Sequence, residues 1–373
     1  MSAGKEGVWE VDLDSFNFSD YGNYNYTNEG NTCCLGVVCT QQESMAFESV
    51  FLPVLYSLAM VVGLLGNGLV LGVLFQLRRT WSVTDTFILH LAVADTLLLL
   101  TLPFWALEAI QGWTFGSGLC KLTGAIFRIN FYSGIFLLAC ISLDRYLSIV
   151  HAVQMYSRRK PWVVQASCLS VWLFCLLLSI PDWVFLEQVV DPRRGEKPEC
   201  THNYLRYEAS IDDWRIASRM VYHVVGFIIP AVVMVYCYSC ILLRLRGGSR
   251  GPQKQKAIRV ILALVVVFFI SWTPYNITLL VDTIQTNQTH SSHTCASTTA
   301  LDVSLTVTAA LGYLHCSVNP VLYTFVGVKF RRHLLDMLRA LGCKLKSQVR
   351  PTSRKSSVWT MVSSGDTTYS SGF

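Results

Sequence analysis

Seven long apolar stretches, separated by short polar linkers, dominate the chain. Each stretch reaches or exceeds the roughly 20 apolar residues that a helix needs to cross a bilayer. Each also holds too few charges for an amphipathic helix on a soluble protein. The pattern therefore predicts seven membrane-spanning helices. Numbered as spans one to seven, they cover residues 51–76, 84–110, 117–149, 161–185, 216–244, 257–285 and 299–326.

The segments outside these spans complete the predicted architecture. Residues 328–341 place cations on one side of a helix and Phe330, Leu334 and Leu338 on the other, which is typical of a helix lying on a membrane surface. The fold class is then an all-α membrane protein, a seven-helix bundle with an amphipathic eighth helix. The predicted divisions are an acidic tail (1–50), the bundle with its surface helix (51–343) and a disordered Ser/Thr-rich tail (344–373).

The distribution of charge predicts the orientation of the bundle. The first fifty residues hold one lysine and eight acids, a net charge of 1 − 8 = −7, whereas the linkers after spans one, three and five are rich in Lys and Arg. Because basic linkers stay on the cytoplasmic side, the N-terminus is predicted to be extracellular. With 52% hydrophobic and only 14% charged residues, the composition excludes a soluble or disordered chain. The net charge of +6 lies in these linkers and does not indicate nucleic-acid binding.

Cysteines and glycosylation sequons fit this orientation. Of 13 cysteines, six fall in segments predicted to be outside, where disulfides form. Six others, among them Cys316, lie within spans and are expected to be buried thiols. Cys343 follows the surface helix and is a candidate for palmitoylation. The predicted glycosylation sites are Asn17, Asn25 and Asn287.

Polar residues inside spans are costly and mark candidate functional sites. Asp95 in span two, Asn130 in span three and Asn319 in span seven lie at compatible depths. Their oxygens would suit a sodium ion or a proton. A hydrogen-bonded structural triad without an ion explains the same residues, and the sequence leaves both interpretations open.

Two further motifs lie at the cytoplasmic end of span three and within spans six and seven. Span three ends in adjacent opposite charges, which can hold each other until a partner competes for the arginine. Prolines inside spans six and seven break helical hydrogen bonds beside aromatic residues, which favours kinks and bistable elements. The residues concerned are Asp144, Arg145, Tyr146, Trp272, Pro274, Asn319, Pro320 and Tyr323.

Together with Asn67, Asp95, Trp172 and Pro230, these motifs resemble the rhodopsin-like G-protein-coupled receptors. The resemblance covers residues 50 to 343. Finer motifs are similar to those of CXC chemokine receptors, namely Thr-Leu-Pro at 101–103, Trp-Thr-Phe-Gly at 113–116 and DRYLSIVHA from residue 144. The chain departs from the family at Ser271, Ser148 and Ala309, where Cys, Ala and Glu are more usual.

The resemblance implies a plasma-membrane receptor, not an enzyme, that needs no cofactor. It would bind a basic CXC chemokine outside, activate an inhibitory-type heterotrimeric G protein inside and drive leukocyte chemotaxis. Disulfides are implied between Cys120 and Cys200 and between Cys39 and Cys295. Receptor kinases and arrestin would act on the C-terminal tail, and lipid surrounds the bundle. The residues implied to line the G-protein cleft are Arg145, Val153, Tyr238 and Tyr323.

A chemokine receptor should present an acidic outer face. The tail does so, and its tyrosines beside acids are candidates for sulfation: Tyr21, Tyr24 and Tyr26. Deeper, acids and aromatic residues near the outer ends of the spans form a predicted ligand cup. Its members are Trp105, Glu108, Tyr132, Asp182, Tyr275, Asp282 and Tyr313. Arg128 and Arg219 lie at similar depth, and internal pairing with these acids is the alternative to ligand contact.

Other classes fit the sequence less well. A transporter or channel is disfavoured by the odd number of spans and by the lack of an inverted repeat. No catalytic motif of an enzyme is present in the sequence. A decoy receptor that internalises chemokine without G-protein signalling, and a receptor for another peptide, remain alternatives.

Overall fold

A computed structural model describes residues 40–78, 81–151, 161–191, 194–195, 197–204, 211–246, 252–287 and 294–326. Within these ranges, seven helical segments are long and apolar enough to cross a membrane, which confirms the predicted seven-helix bundle. Spans one to three are Gln42–Gln76, Val83–Gln111 and Gly116–Tyr146, the last followed by a π-helical turn, Leu147–His151. Span four consists of two helices, Pro161–Leu178 and Ile180–Phe185. Span five consists of the helices Ile211–His223 and Ile229–Arg246, joined by a π-helical turn, Val224–Ile228. Spans six and seven are Pro252–Asn287 and Cys295–Val326.

Span one begins earlier than its hydropathy predicts, at Gln42 rather than at residue 51. The additional turns contain Glu43 and Glu48, which lower the hydropathy of the segment. Glu48 is nevertheless buried, because Arg194 and Thr306 supply it with an ion pair at 2.8 Å and a hydrogen bond at 2.9 Å. The predicted boundary between tail and bundle therefore falls inside a helix.

The bundle is apolar on its outside, as a protein in lipid requires. Large aliphatic side chains such as Leu65, Leu243 and Ile270 are about two-thirds exposed on the outer surface of the bundle. Span three is the most buried of the seven and packs against spans two, four, five and six. The polar clusters around Arg128, Asp95 and Arg145 each include a residue of this central helix, whereas those around Arg194 and Arg219 do not.

A hairpin between spans four and five covers one end of the bundle. Its strands, β1 (Leu186–Val190) and β2 (Pro198–His202), run antiparallel, with Gln188 opposite Cys200. Cys200 is disulfide-bonded to Cys120 near the start of span three, as the resemblance implies. The amide of Trp113 also donates a 2.6 Å hydrogen bond to the carbonyl of Pro198. We call this the outer end, since the charge pattern predicts that it is extracellular.

Candidate functional site

Aromatic side chains form a continuous chain of contacts from the outer end towards the centre. Trp105 lies with its ring centroid 4.9 Å from Phe127, and Phe127 lies 4.2 Å from Tyr313. Tyr313 in turn contacts Trp272 edge to face at 4.9 Å. Trp272 is fully buried, whereas Trp105, Tyr275 and Tyr313 keep partial exposure. The cup thus has an accessible aromatic wall that leads directly to the buried tryptophan of span six.

Asp182, a predicted ligand contact, is engaged inside the protein. Its side chain is only 5% exposed and lies 3.3 Å from the guanidinium of Arg128 and 3.2 Å from His202. Arg128 also stacks over the ring of Tyr222, with the guanidinium carbon 4.7 Å from the ring centroid. These contacts join span three, span four, span five and the hairpin, which favours the internal-pairing alternative for this acid.

The other two acids of the cup also have internal partners. Asp282 pairs with Arg219 at 2.6 Å, and Arg219 donates a hydrogen bond to Thr283. Glu108 accepts a 2.6 Å hydrogen bond from the backbone amide of Cys200 in the hairpin. All three acids therefore help to hold the outer end together, and a ligand cation reaches Asp182 or Asp282 only in competition with an arginine.

Tyr132 occupies a different environment from the other predicted aromatic contacts. It is 2% exposed and packs between Phe136 and Tyr222. Gly226, in the π-helical turn of span five, lies so close that a Cβ there would stand 2.4 Å from the Tyr132 ring. In this arrangement the tyrosine fixes spans three and five to each other and is not accessible to a ligand.

A second ionic cluster links span one to the hairpin and to span seven. Arg194 pairs with Glu48 at 2.8 Å and with Glu199 at 3.2 Å. Burial lowers the pKa of Arg194, but the carboxylates of Glu48 and Glu199 raise it, and the net pKa lies above the ordinary value. Arg194 therefore stays cationic and ties the hairpin to span one. The sequence did not single out these residues as a cluster.

At the centre of the membrane, Asp95 is buried and accepts two amide hydrogen bonds. Asn130 donates at 3.1 Å and Asn319 at 2.9 Å, one to each carboxylate oxygen. The three predicted residues therefore do come together, as a hydrogen-bonded triad. His315 adds a ring nitrogen 4.0 Å from Asp95, and the side chain of Cys316 donates to Asn130 at 3.6 Å.

At the inner end of span three, opposite the hairpin, Arg145 is held by contacts within the protein. It lies 3.6 Å from Asp144 and contacts the hydroxyl of Thr84 at the start of span two. Tyr146 contacts the hydroxyl of Tyr236 at 3.4 Å. The arginine is therefore masked by its own neighbours, as the adjacent charges predict. Thr84 was not predicted, because nothing in its local sequence distinguishes it from other helix-starting threonines.

The kinked spans meet around Trp272. Pro274 and Pro320 both lie inside continuous helices. Gly312 of span seven faces Trp272, and a Cβ at this position would stand 2.9 Å from the indole ring. The packing between spans six and seven therefore depends on this glycine at the level of the buried tryptophan.

Several predicted positions lie outside the described residues. These are Tyr21, Tyr24, Tyr26, Cys39, Val153, Asn17, Asn25, the surface helix 328–341 and the C-terminal tail. The backbone of Tyr323 belongs to span seven and that of Asn287 ends span six, but their side chains are not described. Cys295 is disulfide-bonded. Its pairing with Cys39 stays a prediction, as do sulfation and glycosylation.

Comparison with known proteins establishes the class of this one. The rhodopsin family of seven-transmembrane receptors matches residues 66–323. The chain is 46% identical over 355 residues to C-X-C chemokine receptor type 3 of Homo sapiens, a match covering 94% of this chain and 93% of that protein. Identity to the type 3 receptor of Capra hircus is 47% over 343 residues, with 91% and 90% covered. The type 5 receptor of Homo sapiens is 41% identical over 357 residues, with 94% and 92% covered.

The chain therefore belongs to the rhodopsin family of seven-transmembrane receptors. Within that family it belongs to the C-X-C chemokine receptors, with higher identity to the type 3 than to the type 5 proteins. This confirms the resemblance found in its motifs. The seven spans and these relatives make it a multi-pass protein of the plasma membrane.

Proposed function

We propose that this protein is a receptor, not an enzyme, that binds basic CXC chemokines outside the cell and activates an inhibitory-type heterotrimeric G protein inside. The observation that carries the proposal is the 46% identity over 94% of the chain to a C-X-C chemokine receptor, which includes both ends of the bundle. The cellular outcome would be leukocyte chemotaxis. No cofactor is needed for binding and conformational coupling of this kind.

Capture begins at the acidic tail. Its net charge of −7 attracts a basic protein over distances of about a Debye length, roughly 8 Å at physiological salt. Sulfation of Tyr21, Tyr24 or Tyr26 would add further negative charge. Such attraction acts chiefly on the association rate and weakens with salt.

The flexible, cationic end of a chemokine would then enter the cup. Trp105, Tyr275 and Tyr313 offer aromatic faces to a cation, a contact worth about 0.5–2 kcal/mol. A ligand cation would reach Asp182 or Asp282 by displacing Arg128 or Arg219. Such an exchange would loosen the contacts between spans three and four, or between spans five and six, where those arginines pair.

The aromatic chain provides a physical route from the cup to the centre of the bundle. Movement of Tyr313 bears on Trp272, and Trp272 packs near His315, with ring centroids 5.8 Å apart. A ligand shifts this arrangement only if it binds the active state more tightly than the state described here. Coupling is reciprocal, so bound G protein should tighten agonist binding.

Inside the cell, release of Arg145 from Asp144 and Thr84 would free it for the G protein. Tyr238, Tyr323 and Val153 are proposed to line the same cleft. Phosphorylation of the Ser/Thr-rich tail by receptor kinases would create clustered negative charge for arrestin.

For Asp95, the contacts favour the structural triad over a sodium site. Carboxylate and amide oxygens have the right chemistry for a hard cation. Here, however, Asn130 and Asn319 both direct their N–H groups at Asp95, so both would have to turn before their oxygens faced an ion.

The experiment that tests the proposal is inhibition of cAMP in cells expressing the chain, against a panel of CXC chemokines, with and without pertussis toxin. A toxin-sensitive response to some members is the expected result. Specific binding without any response would favour the decoy receptor. No binding at good surface expression would redirect the search to other peptides.

A further inference from the structure

The turn that ends span three brings together three side chains that no step of the proposed function uses. Nε2 of His151 lies 3.0 Å from the hydroxyl of Tyr146, and that hydroxyl lies 3.4 Å from the hydroxyl of Tyr236 on span five. The rings are also in contact, with centroids 5.1 Å apart for Tyr146 and His151 and 5.7 Å apart for the two tyrosines. We call these three residues the inner latch.

The π-helical turn Leu147–His151 is what allows His151 to reach Tyr146. In an α-helix each residue is rotated by about 100° from the previous one, so a residue five positions along points about 140° away. A π-helix makes its hydrogen bonds to the fifth residue instead, which brings residues five apart onto the same side. Such a turn next to an α-helix is rare and is often found at functional sites.

Ser148 stabilises the point at which the α-helix gives way to the π-helical turn. Its hydroxyl donates to the carbonyl of Asp144 at 2.8 Å and lies 3.1 Å from the carbonyl of Arg145. The amide of Leu147 is shared between the carbonyls of Leu143 and Asp144. Shared donors and side-chain donors of this kind supplement the regular hydrogen bonds where a helix changes its geometry. The alanine that is more usual at this position has no hydroxyl to donate.

The inner latch joins span three to span five at the end where the G protein is proposed to bind. Tyr146 directly follows Arg145, so the turn that orients the tyrosine also continues the segment that presents the arginine. Tyr236 bonds in addition to the thiol of Cys240, one turn further along span five. Because Tyr236 is 58% exposed and His151 is exposed too, these contacts are weak enough for an agonist-driven movement to open them.

We propose that Ser148 and His151 are positioning residues that hold Tyr146 against Tyr236 and thereby keep the inner ends of spans three and five together without agonist. The effect on signalling rests on the proposed function, whereas the contact between the two spans does not. Loss of either positioning residue shifts the receptor towards the open state. A net hydrogen bond shifts an equilibrium about 2- to 10-fold, and this is the size of effect that we expect.

The first measurement needs neither chemokine nor G protein. Full-length receptor in lipid nanodiscs is alkylated with a water-soluble maleimide, and mass spectrometry follows Cys240, with the buried Cys237 as internal reference. Ser148→Ala and His151→Ala should each raise the alkylation rate at Cys240 about 2- to 10-fold, because a released Tyr236 no longer holds its thiol. Ser170→Ala, which removes a comparable 2.9 Å side-chain bond to the backbone of span four, should leave that rate unchanged.

Two further variants separate positioning from a general loss of stability. His151→Gln keeps a group that can bond the Tyr146 hydroxyl, and it should restore an alkylation rate close to that of the wild type. When Ser148→Ala is combined with Tyr236→Phe, the two increases should not multiply, because both changes act on one contact. Multiplying increases would show that the two residues act separately and would contradict the proposed positioning.

The second measurement is agonist-free nucleotide exchange on an inhibitory-type G protein, with the same nanodiscs. Exchange should rise in Ser148→Ala and His151→Ala by a factor similar to that of alkylation, but not in Ser170→Ala. Equal alkylation of Cys240 in the wild type and both variants, or an equal increase in Ser170→Ala, would overturn the latch. Faster alkylation without faster exchange, in a receptor that chemokine activates, would refute its role in coupling. A wild type that no chemokine activates would count against the proposed function and leave the alkylation result standing.

Discussion

The pair of Arg128 and Asp182 offers a quantitative test of the cup, through substitution of each partner alone and of both together. Arg128→Met leaves a carboxylate with only 5% exposure and with His202 as its remaining partner. Breaking a buried ion pair costs about 3–5 kcal/mol. Because Arg128 is 24% exposed, we expect the lower end, about 3 kcal/mol.

Asp182→Asn should cost less. Arg128 keeps the ring of Tyr222 and part of its hydration, so we expect a loss of about 2 kcal/mol from an unpaired charged group. In the double variant neither charge is stranded, and the total should stay near 3 kcal/mol. The coupling energy is then about 2 kcal/mol, within the range for contacting residues.

The assay is thermal unfolding of purified receptor without ligand, followed with a thiol-reactive dye as buried cysteines become exposed. At about 2 °C per kcal/mol, the melting temperature should fall by roughly 6, 4 and 6 °C in the three variants. Additive losses would give roughly 10 °C for the double variant. Additivity within about 0.5 kcal/mol would refute internal pairing as the main role of Asp182.

Arg219 and Asp282 provide the matched control. They lie closer together, at 2.6 Å, but their side chains are 24% and 22% exposed. Because solvent competes with an exposed pair, the same cycle should show a coupling of less than about 1 kcal/mol. Comparing the two pairs therefore shows whether the coupling energy depends on burial of the pair or on the distance between the charges.

Three further predictions concern the inner end, the bundle centre and the tail. Arg145→Ala should abolish toxin-sensitive cAMP inhibition while chemokine binding persists; full signalling would contradict the assigned role. Gly312→Ala should cost about 1–3 kcal/mol, because its Cβ meets Trp272, whereas Gly68→Ala, with nothing within 4 Å of its Cβ, should cost less. Equal melting temperatures for these two variants would exclude that close packing. Raising the salt concentration should slow chemokine association more than it speeds dissociation, as stopped-flow fluorescence would show, and an unchanged association rate would remove the tail from capture.

Hydropathy and charge were sufficient to predict the architecture, because a bilayer demands long apolar helices and leaves few alternatives. Hydropathy is averaged over a window of residues, and this averaging concealed the start of span one. In a hydropathy window Glu48 marks the end of an apolar stretch, and its burial is explained only by distant partners, Arg194 at 146 positions and Thr306 at 258 positions along the chain. Segments of this kind become predictable only when the tertiary partner is known.

Residue types also indicated the site's chemistry, but not its pairings. Asp95, Asn130 and Asn319 could be grouped by depth alone. Which acid meets which arginine depends on how each helix is rotated, and a rotation of one residue, about 100°, exchanges partners. His315 could have been found, since it precedes Asn319 by one helical turn and therefore shares its face.

Among the described residues, three polar clusters have a member on span three, and this has a mechanical consequence. Arg128, Asn130 and Arg145 belong to its single continuous helix and bind Asp182, Asp95 and the Asp144–Thr84 pair respectively. Arg128 and Arg145 are 17 residues apart, about 25 Å along the helix axis. An ionised residue at the centre of a membrane costs about 2.5–3.5 kcal/mol, so a bundle built only for stability would avoid such groups. A small rotation or translation of span three would disturb all three sets of partners together. If a ligand cation exchanges with Arg128 as proposed, a rigid movement of span three would link this exchange at the outer end to release of Arg145 at the inner end.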